Sequence, residues 1–347
     1  MNRHAVYFTG PRKAEVRQEP APELRPGTVL VQSVYSAISP GTELMIYRGN
    51  APDDLPADAS ITALTGGLSF PLKYGYAAVG NVISLGKGVD PSWEKQRVFA
   101  FNPHETRFLA SPADLVRIPD GISWEEATFL ANMETAVNFV HDGRPLLGEL
   151  VVVIGQGVVG LLTTMLLRLF PLAGLVTLEP FPRRREVSLS IGADASLDPS
   201  TAGAPGEIIA ALEKMGAIDR ADLVYELSGS PDALNLALIA TGACGRIIIG
   251  SWYGKKQATL DLGGRFHRSR IEIKSSQVST VDPRLSGRWS KSRRLSIALE
   301  MLAKVSPAAL VTHRFSITDA TRAYELLDTH PDDAIQVLLD HRSPEGA

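Results

Sequence analysis

The strongest constraint on this chain is a glycine pattern between a predicted strand and a predicted helix. Residues 150–154 form an apolar, mostly β-branched run that stops at a glycine, and a helical run begins near residue 158. The pattern is Gly155, Gln156, Gly157, Val158, Val159, Gly160. In such a turn the first glycine permits the tight bend, the second lets the backbone approach a pyrophosphate, and the third allows close packing of helix and strand. We therefore predict a dinucleotide site here, although a glycine turn with a packing role alone is the alternative.

An acidic residue follows at the spacing that this kind of site requires. Glu179 lies at the carboxyl end of the second predicted strand, where a carboxylate binds ribose hydroxyls and repels a 2′-phosphate, so NAD(H) is favoured. Residues 183–185 are three arginines, which would suit a 2′-phosphate if the chain turned back. Pro180 and Pro182 are expected to restrict that return. NADP(H) stays possible, and a solvated first turn of a helix is the other interpretation of the arginines.

Strand and helix signals alternate along the second half of the chain. We predict six strands at 150–154, 175–178, 195–197, 222–226, 246–249 and 271–275. Mostly helical connections between them are typical of an α/β fold with a doubly wound parallel sheet. Small residues follow the fourth and fifth strands, namely Ser228, Gly229, Gly250 and Ser251. Ligands bind at the carboxyl ends of strands in this architecture, so these four are predicted cofactor contacts, with ordinary turn residues as the alternative.

The remaining sequence predicts two flanking parts. The first 120 or so residues show strand and turn signals, with a loop over 51–67, and a helix from Ser123 to about Val140 follows. Helices are predicted at 290–303 and 317–328, and a closing strand at 334–339. We expect a β-rich domain over 1–125, a dinucleotide-binding domain over 126–281, and a segment over 282–347 that returns to the first domain.

Composition narrows the function classes. Among 347 residues, 35 Lys and Arg against 38 Asp and Glu give a net charge of −3, which argues against a nucleic-acid binder. Cys244 is the only cysteine, which excludes an intramolecular disulfide and a cysteine-based zinc cluster and fits a cytoplasmic protein. Residues 1–18 lack the apolar core of a secretory signal. The uncharged stretch 150–167 is long enough to be considered as a membrane span, but its glycine turn divides it into two elements, so no membrane association is expected.

With these motifs the chain resembles the medium-chain dehydrogenase/reductase superfamily. The resemblance rests on the glycine pattern together with segments 75–80, 97–101, 125–127, 192–194 and 245–250. Segments 36–43 and 267–289 are most similar to zinc-type alcohol dehydrogenases akin to bacteriochlorophyllide dehydrogenase. The resemblance implies a GroES-like catalytic domain beside a Rossmann domain, an NAD(P) cofactor, and a contact between Thr135 and that cofactor. It also implies a homodimer in which 246–249 and 271–274 supply edge strands.

The family's catalytic zinc ligands are missing at the positions that match. Ser39 stands in place of the first cysteine, Tyr76 and Ala77 replace His and Glu, and the third position falls near Ala131 or Asn132. Hydroxyl groups do not replace a thiolate and an imidazole, so we expect no catalytic zinc.

Without zinc, another group must transfer the proton or bind the developing alkoxide. Ser39, Tyr76 and His104 are the candidate catalytic residues, because hydroxyls and imidazoles perform these tasks. The alternative interpretations are that Ser39 is a turn residue, Tyr76 a core aromatic and His104 an exposed loop histidine. Glu43 could orient a neighbour or be a surface acid.

A basic stretch between residues 265 and 294 permits further interpretations. It contains Arg265, Arg268, Arg270, Lys274, Arg284, Arg288, Lys291, Arg293 and Arg294. An anionic substrate, a nucleic-acid surface and a solvated helix face are all compatible with it, although the net charge argues against nucleic acid.

The sequence thus favours an oxidoreductase that transfers hydride between a nicotinamide and a small alcohol, carbonyl or activated alkene substrate. A nucleotide-binding sensor or scaffold that has lost catalysis is the alternative, suggested by the missing zinc ligands.

Overall fold

The structure is a computed structural model that describes residues 2–52, 54–58 and 60–342. Asp53, in the predicted loop over 51–67, lies outside the described residues. The chain divides into two compact units, Met1–Ala131 with Leu302–Ala347, and Asn132–Met301. We call them the first and second units.

Strands form most of the first unit and the centre of the second. They are β1 (Asn2–Gly10), β2 (Lys13–Pro20), β3 (Val29–Ile38), β4 (Ala78–Leu85), β5 (Arg97–Ala100), β6 (Arg107–Ala110), β7 (Leu115–Arg117), β8 (Leu150–Ile154), β9 (Gly174–Leu178), β10 (Ala195–Leu197), β11 (Ala221–Glu226), β12 (Thr241–Ile249), β13 (Glu272–Ser275), β14 (Val311–Ser316) and β15 (Gln336–Asp340). The helices are α1 (Pro40–Tyr47), α2 (Trp124–Ala127), α3 (Leu130–Gly143), α4 (Val158–Leu167), α5 (Pro182–Ser190), α6 (Ala204–Lys214), α7 (Ala233–Ala240), α8 (Lys291–Val305) and α9 (Ala320–Thr329).

The first unit is built on a mixed sheet in the order β14-β15-β3-β4-β5-β7, with β6 paired to β3. Strand β15 runs antiparallel to β3, with Val337 opposite Ile38. Its core joins these strands to α1 and α9 through buried side chains such as Ile46 and Tyr324. The tail of the chain, with β14 and β15, therefore lies in the first unit.

The second unit contains a parallel sheet in the order β10-β9-β8-β11-β12-β13. All six predicted strands are present, and the strand order reverses at β8, as in a doubly wound fold. The central strands β8 and β9 are buried along their whole length because helices cover both faces, which explains their continuous apolar runs. The α/β prediction is confirmed.

Two local predictions need correction. The helix expected from Ser123 to Val140 begins with the predicted capping box, in which Ser123 and Glu126 exchange hydrogen bonds, but it is interrupted at 128–129 and resumes as α3. Residues 246–249 were expected at a sheet edge, whereas β12 pairs with both β11 and β13. Among the described residues β13 is one edge of that sheet and β10 is the other.

The boundaries of the units also differ from those that the sequence suggested. The second unit extends to Met301 instead of 281, because the first part of α8 is anchored inside it. Arg294, 1% exposed, donates hydrogen bonds to Glu134 and Asn138 of α3 and to the carbonyl oxygens of Val278 and Thr280. These bonds hold the segment before α8 against α3.

The stretch 150–167 forms strand β8, the glycine turn and helix α4, as the glycine pattern predicted. None of the helices in the described ranges is long and apolar enough to cross a membrane.

Candidate functional site

The glycine turn in the second unit has the geometry of a dinucleotide cradle. Gly155 has φ +92°, and a Cβ atom there would lie 2.6 Å from Cα of Ser228. A Cβ at Gly160 would lie 2.0 Å from the carbonyl oxygen of Gly155. At Gly157, in contrast, a Cβ would have no protein atom within 4 Å. Two glycines are thus required by packing, while the middle one faces open space at the N-terminus of α4, where unpaired N–H groups attract an anion.

The side chains of this turn are buried or half-buried in the second unit. Gln156 is fully buried; its amide donates to the Gly155 carbonyl oxygen and accepts from the hydroxyl of Thr164. Val158 is buried and Val159 is half-buried. The backbone of the turn, not its side chains, is therefore what the site offers to a phosphate.

Glu179 is attached to the turn. Its carboxylate accepts hydrogen bonds from the backbone N–H of Gln156 at 2.7 Å and of Phe181 at 3.2 Å, and the residue is 3% exposed. Arg184 lies 3.9 Å from the same carboxylate, and Arg185 donates to the carbonyl oxygen of Glu179. Pro180 and Pro182, which were expected to restrict this return, do not prevent it, because α5 begins at Pro182 and its first turn brings Arg184 and Arg185 back to the strand end.

The other predicted cofactor contacts in the second unit have defined positions. Gly229 donates its N–H to the hydroxyl of Ser251 at 2.9 Å, so the loops after β11 and β12 are joined. A Cβ at Gly250 would lie 2.3 Å from the Phe139 ring, which is why glycine is needed there. Thr135 lies on α3 and is half-buried. Its contact with the cofactor stays a prediction.

The first unit brings two of the three predicted catalytic residues together. The hydroxyl of Tyr76 donates a hydrogen bond to the hydroxyl of Ser39, with the oxygens 2.6 Å apart. Ser39 precedes α1, and Tyr76 precedes β4. Burial raises the pKa of Tyr76 to about 12, against hydrogen bonds from Ser39 and Thr42 that lower the pKa. The phenol is consequently protonated at neutral pH and able to donate.

Glu43 lies beneath this pair and is fully buried, so the interpretation as a surface acid is wrong. It accepts a hydrogen bond from the backbone N–H of Ser39 at 2.7 Å and another from the hydroxyl of Tyr324 at 2.6 Å. Its second oxygen also lies 2.9 Å from Nε2 of His104. Three donors around one carboxylate compensate for the water that burial removes.

His104 is likewise fully buried, and the interpretation as an exposed loop histidine is wrong. It is linked to the hydroxyl pair through Glu43, and a Cβ at Gly75 would collide with its ring at 2.6 Å. The other ring nitrogen lies 2.6 Å from the hydroxyl of Ser36, which in turn lies 2.8 Å from Nε2 of His341. The result is a buried chain from Glu43 to His341.

His341 ends that chain, with only one of its two ring nitrogens hydrogen-bonded among the described residues. Its Nδ1 has no hydrogen-bond partner within residues 2–342 as far as they are described. Burial, with the nearby His104 adding to it, lowers the pKa of His341 to about 3. The ring is therefore neutral, and an unprotonated Nδ1 costs less to bury than an unpaired N–H.

The donors at the expected metal positions do not fit a catalytic zinc. Ser39 and Tyr76 are neutral hydroxyls bonded to one another, and zinc prefers thiolate, imidazole or carboxylate ligands. Over the described ranges, no group of three His, Cys, Asp or Glu side chains is placed to hold a metal ion. The absence of zinc from the purified protein stays a prediction.

Several residues of the basic stretch 265–294 form ion pairs with acidic side chains of the second unit. Arg265 pairs with Asp219, Lys274 pairs with Asp142 and Asp282, and Arg294 is buried as described above. A solvated helix face is therefore the wrong interpretation for these three residues. An anionic substrate stays a prediction for the others.

Several residues of these clusters escaped the sequence analysis. Tyr324 and His341 join the cluster around Glu43 and His104 from distant parts of the chain, and no local spacing indicates that. Ser36 lies in the same segment as Ser39, but its neighbours in sequence do not indicate a bond to His104. Glu226 is different, because a charged residue at the end of the apolar run of β11 is a visible signal for a strand-end site.

Comparisons with known proteins agree with this fold. No protein-family model matches the chain. It is 24% identical to D-guloside 3-dehydrogenase of Escherichia coli K12 over 352 residues, covering 96% of this chain and 98% of that protein. It is 26% identical to 2-desacetyl-2-hydroxyethyl bacteriochlorophyllide A dehydrogenase of Cereibacter sphaeroides over 369 residues, covering 99% of each chain.

A comparison with a solved structure gives the same fold over nearly the whole chain. The chain superimposes on a protein named a short chain alcohol dehydrogenase from Escherichia coli CFT073, crystallised with NADH, with a TM-score of 0.79 at 17% identity. The match covers 98% of this chain and 99% of that one. The chain is therefore similar over nearly its whole length to zinc-type alcohol dehydrogenases of the medium-chain dehydrogenase/reductase kind, and these similarities support an NAD(P)-dependent oxidoreductase.

Proposed function

We propose that this oxidoreductase interconverts a carbonyl compound and its alcohol without a catalytic metal, with Tyr76 as the proton donor. The observation that carries the proposal is the hydrogen bond between the hydroxyls of Tyr76 and Ser39 at positions where relatives are expected to hold zinc. A phenol with a pKa near 12 is protonated at neutral pH and has a proton to give.

The reaction balances with this chain's own groups and one cofactor. The reduced nicotinamide, when bound, supplies hydride to the carbonyl carbon. Tyr76 donates its proton to the carbonyl oxygen, where negative charge develops, and the hydroxyl of Ser39 then hydrogen-bonds the phenolate that remains. Water returns the proton to Tyr76. Glu43 fixes the backbone of Ser39 and, as a buried negative charge, favours the protonated phenol.

The names of the relatives support a class of substrate. D-guloside 3-dehydrogenase is named for a sugar derivative, and two further relatives of 24% identity over 67% of this chain are sorbitol dehydrogenases of Saccharomyces cerevisiae. We therefore propose a ketone or secondary alcohol of the sugar and polyol type as the first class to assay.

The decisive experiment compares variants in a panel of such carbonyl compounds with NADH and NADPH. Tyr76→Phe should lower kcat by about a hundredfold or more, while Ser39→Ala should lower it less, because the proton donor remains. Tyr74→Phe is the matched control, since Tyr74 packs edge-on against the Tyr76 ring and should leave kcat unchanged. Full activity of Tyr76→Phe would disprove the proposed role, and a complete lack of turnover with tight NADH binding would favour the sensor or scaffold.

We further propose a preference for NAD(H) and a homodimer. The buried carboxylate of Glu179 supports the first, although Arg184 reduces the difference by lying near it. The edge position of β13 supports the second, because an unpaired strand edge is suited to sheet extension across two subunits. Light scattering at micromolar concentration should give the mass of a dimer, and a monomer mass would contradict this.

A further inference from the structure

Glu226, at the carboxyl end of β11, is a buried acid to which neither the glycine pattern nor the proposed reaction gives a role. It is 0% exposed in the centre of the second unit. A carboxylate in such a position is costly unless its oxygens are hydrogen-bonded. Its hydrogen-bond partners therefore indicate what it does.

Those partners come from two different loops. Oε1 accepts hydrogen bonds from the backbone N–H of Ser228, at 2.8 Å, and from the hydroxyl of the same residue. Oε2 accepts a hydrogen bond from the hydroxyl of Tyr253. Ser228 follows β11 and Tyr253 follows β12, so one carboxylate joins the loops after two neighbouring strands.

Further hydrogen bonds join the same two loops. The N–H of Gly229 donates to the hydroxyl of Ser251 at 2.9 Å, and the ammonium group of Lys256 donates to the carbonyl oxygen of Gly229 at 2.7 Å. We call residues 227–230 and 250–256 the strand-end loops.

The strand-end loops lie directly beside the glycine turn. A Cβ at Gly155 would be 2.6 Å from Cα of Ser228, which leaves no room between the turn and the first loop. The N–H of Leu227 donates to the carbonyl oxygen of Ile154 at 2.8 Å, at the point where the turn begins. A shift of Ser228 would therefore change the wall of the dinucleotide cradle.

We propose that Glu226, through Tyr253 and Ser228, is a positioning residue for the dinucleotide, holding the strand-end loops in their binding geometry before the cofactor arrives. Loops that are ordered in advance lose less conformational freedom on binding, and the affinity is correspondingly higher. The inference depends on the dinucleotide site and not on the proposed role of Tyr76.

The test measures NADH binding by fluorescence titration and therefore needs no substrate. Glu226→Gln keeps an oxygen for Ser228 but places an amide group where the Tyr253 hydroxyl donates. Tyr253→Phe removes that donor alone and keeps the ring. Each should raise the Kd for NADH about three- to tenfold, as expected when the loss of one typical intramolecular hydrogen bond is transmitted to binding.

Tyr225→Phe is the matched control. Tyr225 is the neighbour of Glu226 in β11, and its buried hydroxyl has no hydrogen-bond partner among the described residues, so its removal should leave the Kd unchanged. The double variant Glu226→Gln, Tyr253→Phe should bind NADH no more weakly than Glu226→Gln, because Tyr253 acts through that carboxylate.

Amide hydrogen exchange without cofactor separates positioning from general stabilisation. Faster exchange at Ser228 and Gly229 in Tyr253→Phe, with an unchanged melting temperature, would support the proposal. An unchanged Kd in Tyr253→Phe would overturn it, even if Glu226→Gln does not fold. A lowered melting temperature with unchanged Kd would likewise assign Glu226 to stability alone. These outcomes concern NADH binding alone, so they test the role of Glu226 whether or not Tyr76→Phe loses turnover.

Discussion

The carboxylate of Glu179 accepts a hydrogen bond from the backbone N–H of Gln156, 2.7 Å away, so the strand-end acid and the glycine turn form one unit. The same carboxylate carries the proposed discrimination between NAD(H) and NADP(H). Arg184 lies 3.9 Å from it and opposes that discrimination. Substitutions at Glu179 and Arg184 can therefore separate the effect of the negative charge on cofactor preference from the effect of the hydrogen bond to Gln156.

Wild-type protein should bind NADH more tightly than NADPH by about 1 kcal/mol, roughly fivefold in Kd. Glu179→Gln removes the charge but keeps an acceptor for the Gln156 N–H, and it should narrow the difference by improving NADPH binding. Arg184→Ala should widen the difference, because a cation near the 2′-phosphate is lost. Fluorescence titrations at one ionic strength measure all three, and tighter binding of NADPH by the wild type would show that the arginines prevail.

Gly157→Val should abolish NADH binding and leave the fold intact. A Cβ at residue 157 meets no protein atom within 4 Å and would project into the space that a pyrophosphate needs. Gly160→Ala is the contrasting variant, because its Cβ would lie 2.0 Å from a backbone oxygen and should lower the melting temperature by several degrees. If Gly157→Val titrates like the wild type, the glycine turn is not the cofactor site.

Protein purified without added metal should contain no stoichiometric zinc, because the hydroxyls of Ser39 and Tyr76 are poor zinc ligands. Elemental analysis tests this directly. Incubation with a chelator should leave turnover unchanged. One zinc per chain, removed together with activity by the chelator, would contradict the metal-free reaction.

His341 should make the protein sensitive to acid. Its pKa is about 3 in the folded protein, whereas an unfolded histidine titrates near 6.5. Below pH 6.5 the unfolded chain binds a proton that the folded chain does not, so stability falls as the pH falls. From pH 7.5 to pH 5 this histidine should cost about 2 kcal/mol of unfolding free energy.

Denaturant titrations at the two pH values measure that loss. His341→Gln, which keeps a polar group near Ser36, should reduce the difference between pH 7.5 and pH 5 by about the same 2 kcal/mol. An equal loss in variant and wild type would show that His341 is not the titrating group.

Local sequence patterns were sufficient to predict the strands of the second unit, but they were insufficient to predict the buried polar cluster of the first unit. Strands β8, β9 and β12 carry largely apolar runs with a glycine at one end, and this signal lies within each segment. The cluster around Glu43 depends on Tyr324, 281 positions away, and on His104, 61 positions away. No periodicity in the sequence connects such residues, because their meeting is fixed by the sheet order β15-β3-β4.

The burial of two polar residues in the first unit was misjudged for a related reason. Glu43 and His104 are polar residues in segments without a clear apolar pattern, for which exposure is the ordinary expectation. Each is buried because the other, together with Ser36 and Tyr324, provides its hydrogen bonds. Burial of a polar side chain is decided by its partners, and a single sequence does not show these partners.

The pairing of β15 with β3 has a consequence for synthesis on the ribosome. Strand β3 emerges early, but its partner at 336–340 emerges nearly three hundred residues later, after the entire second unit. The second unit is continuous in sequence and has all of its strands once residue 275 has left the exit tunnel. The domain translated first is therefore completed last, and until residues 336–340 emerge the nascent chain carries an open strand edge at residues 35–38 of β3.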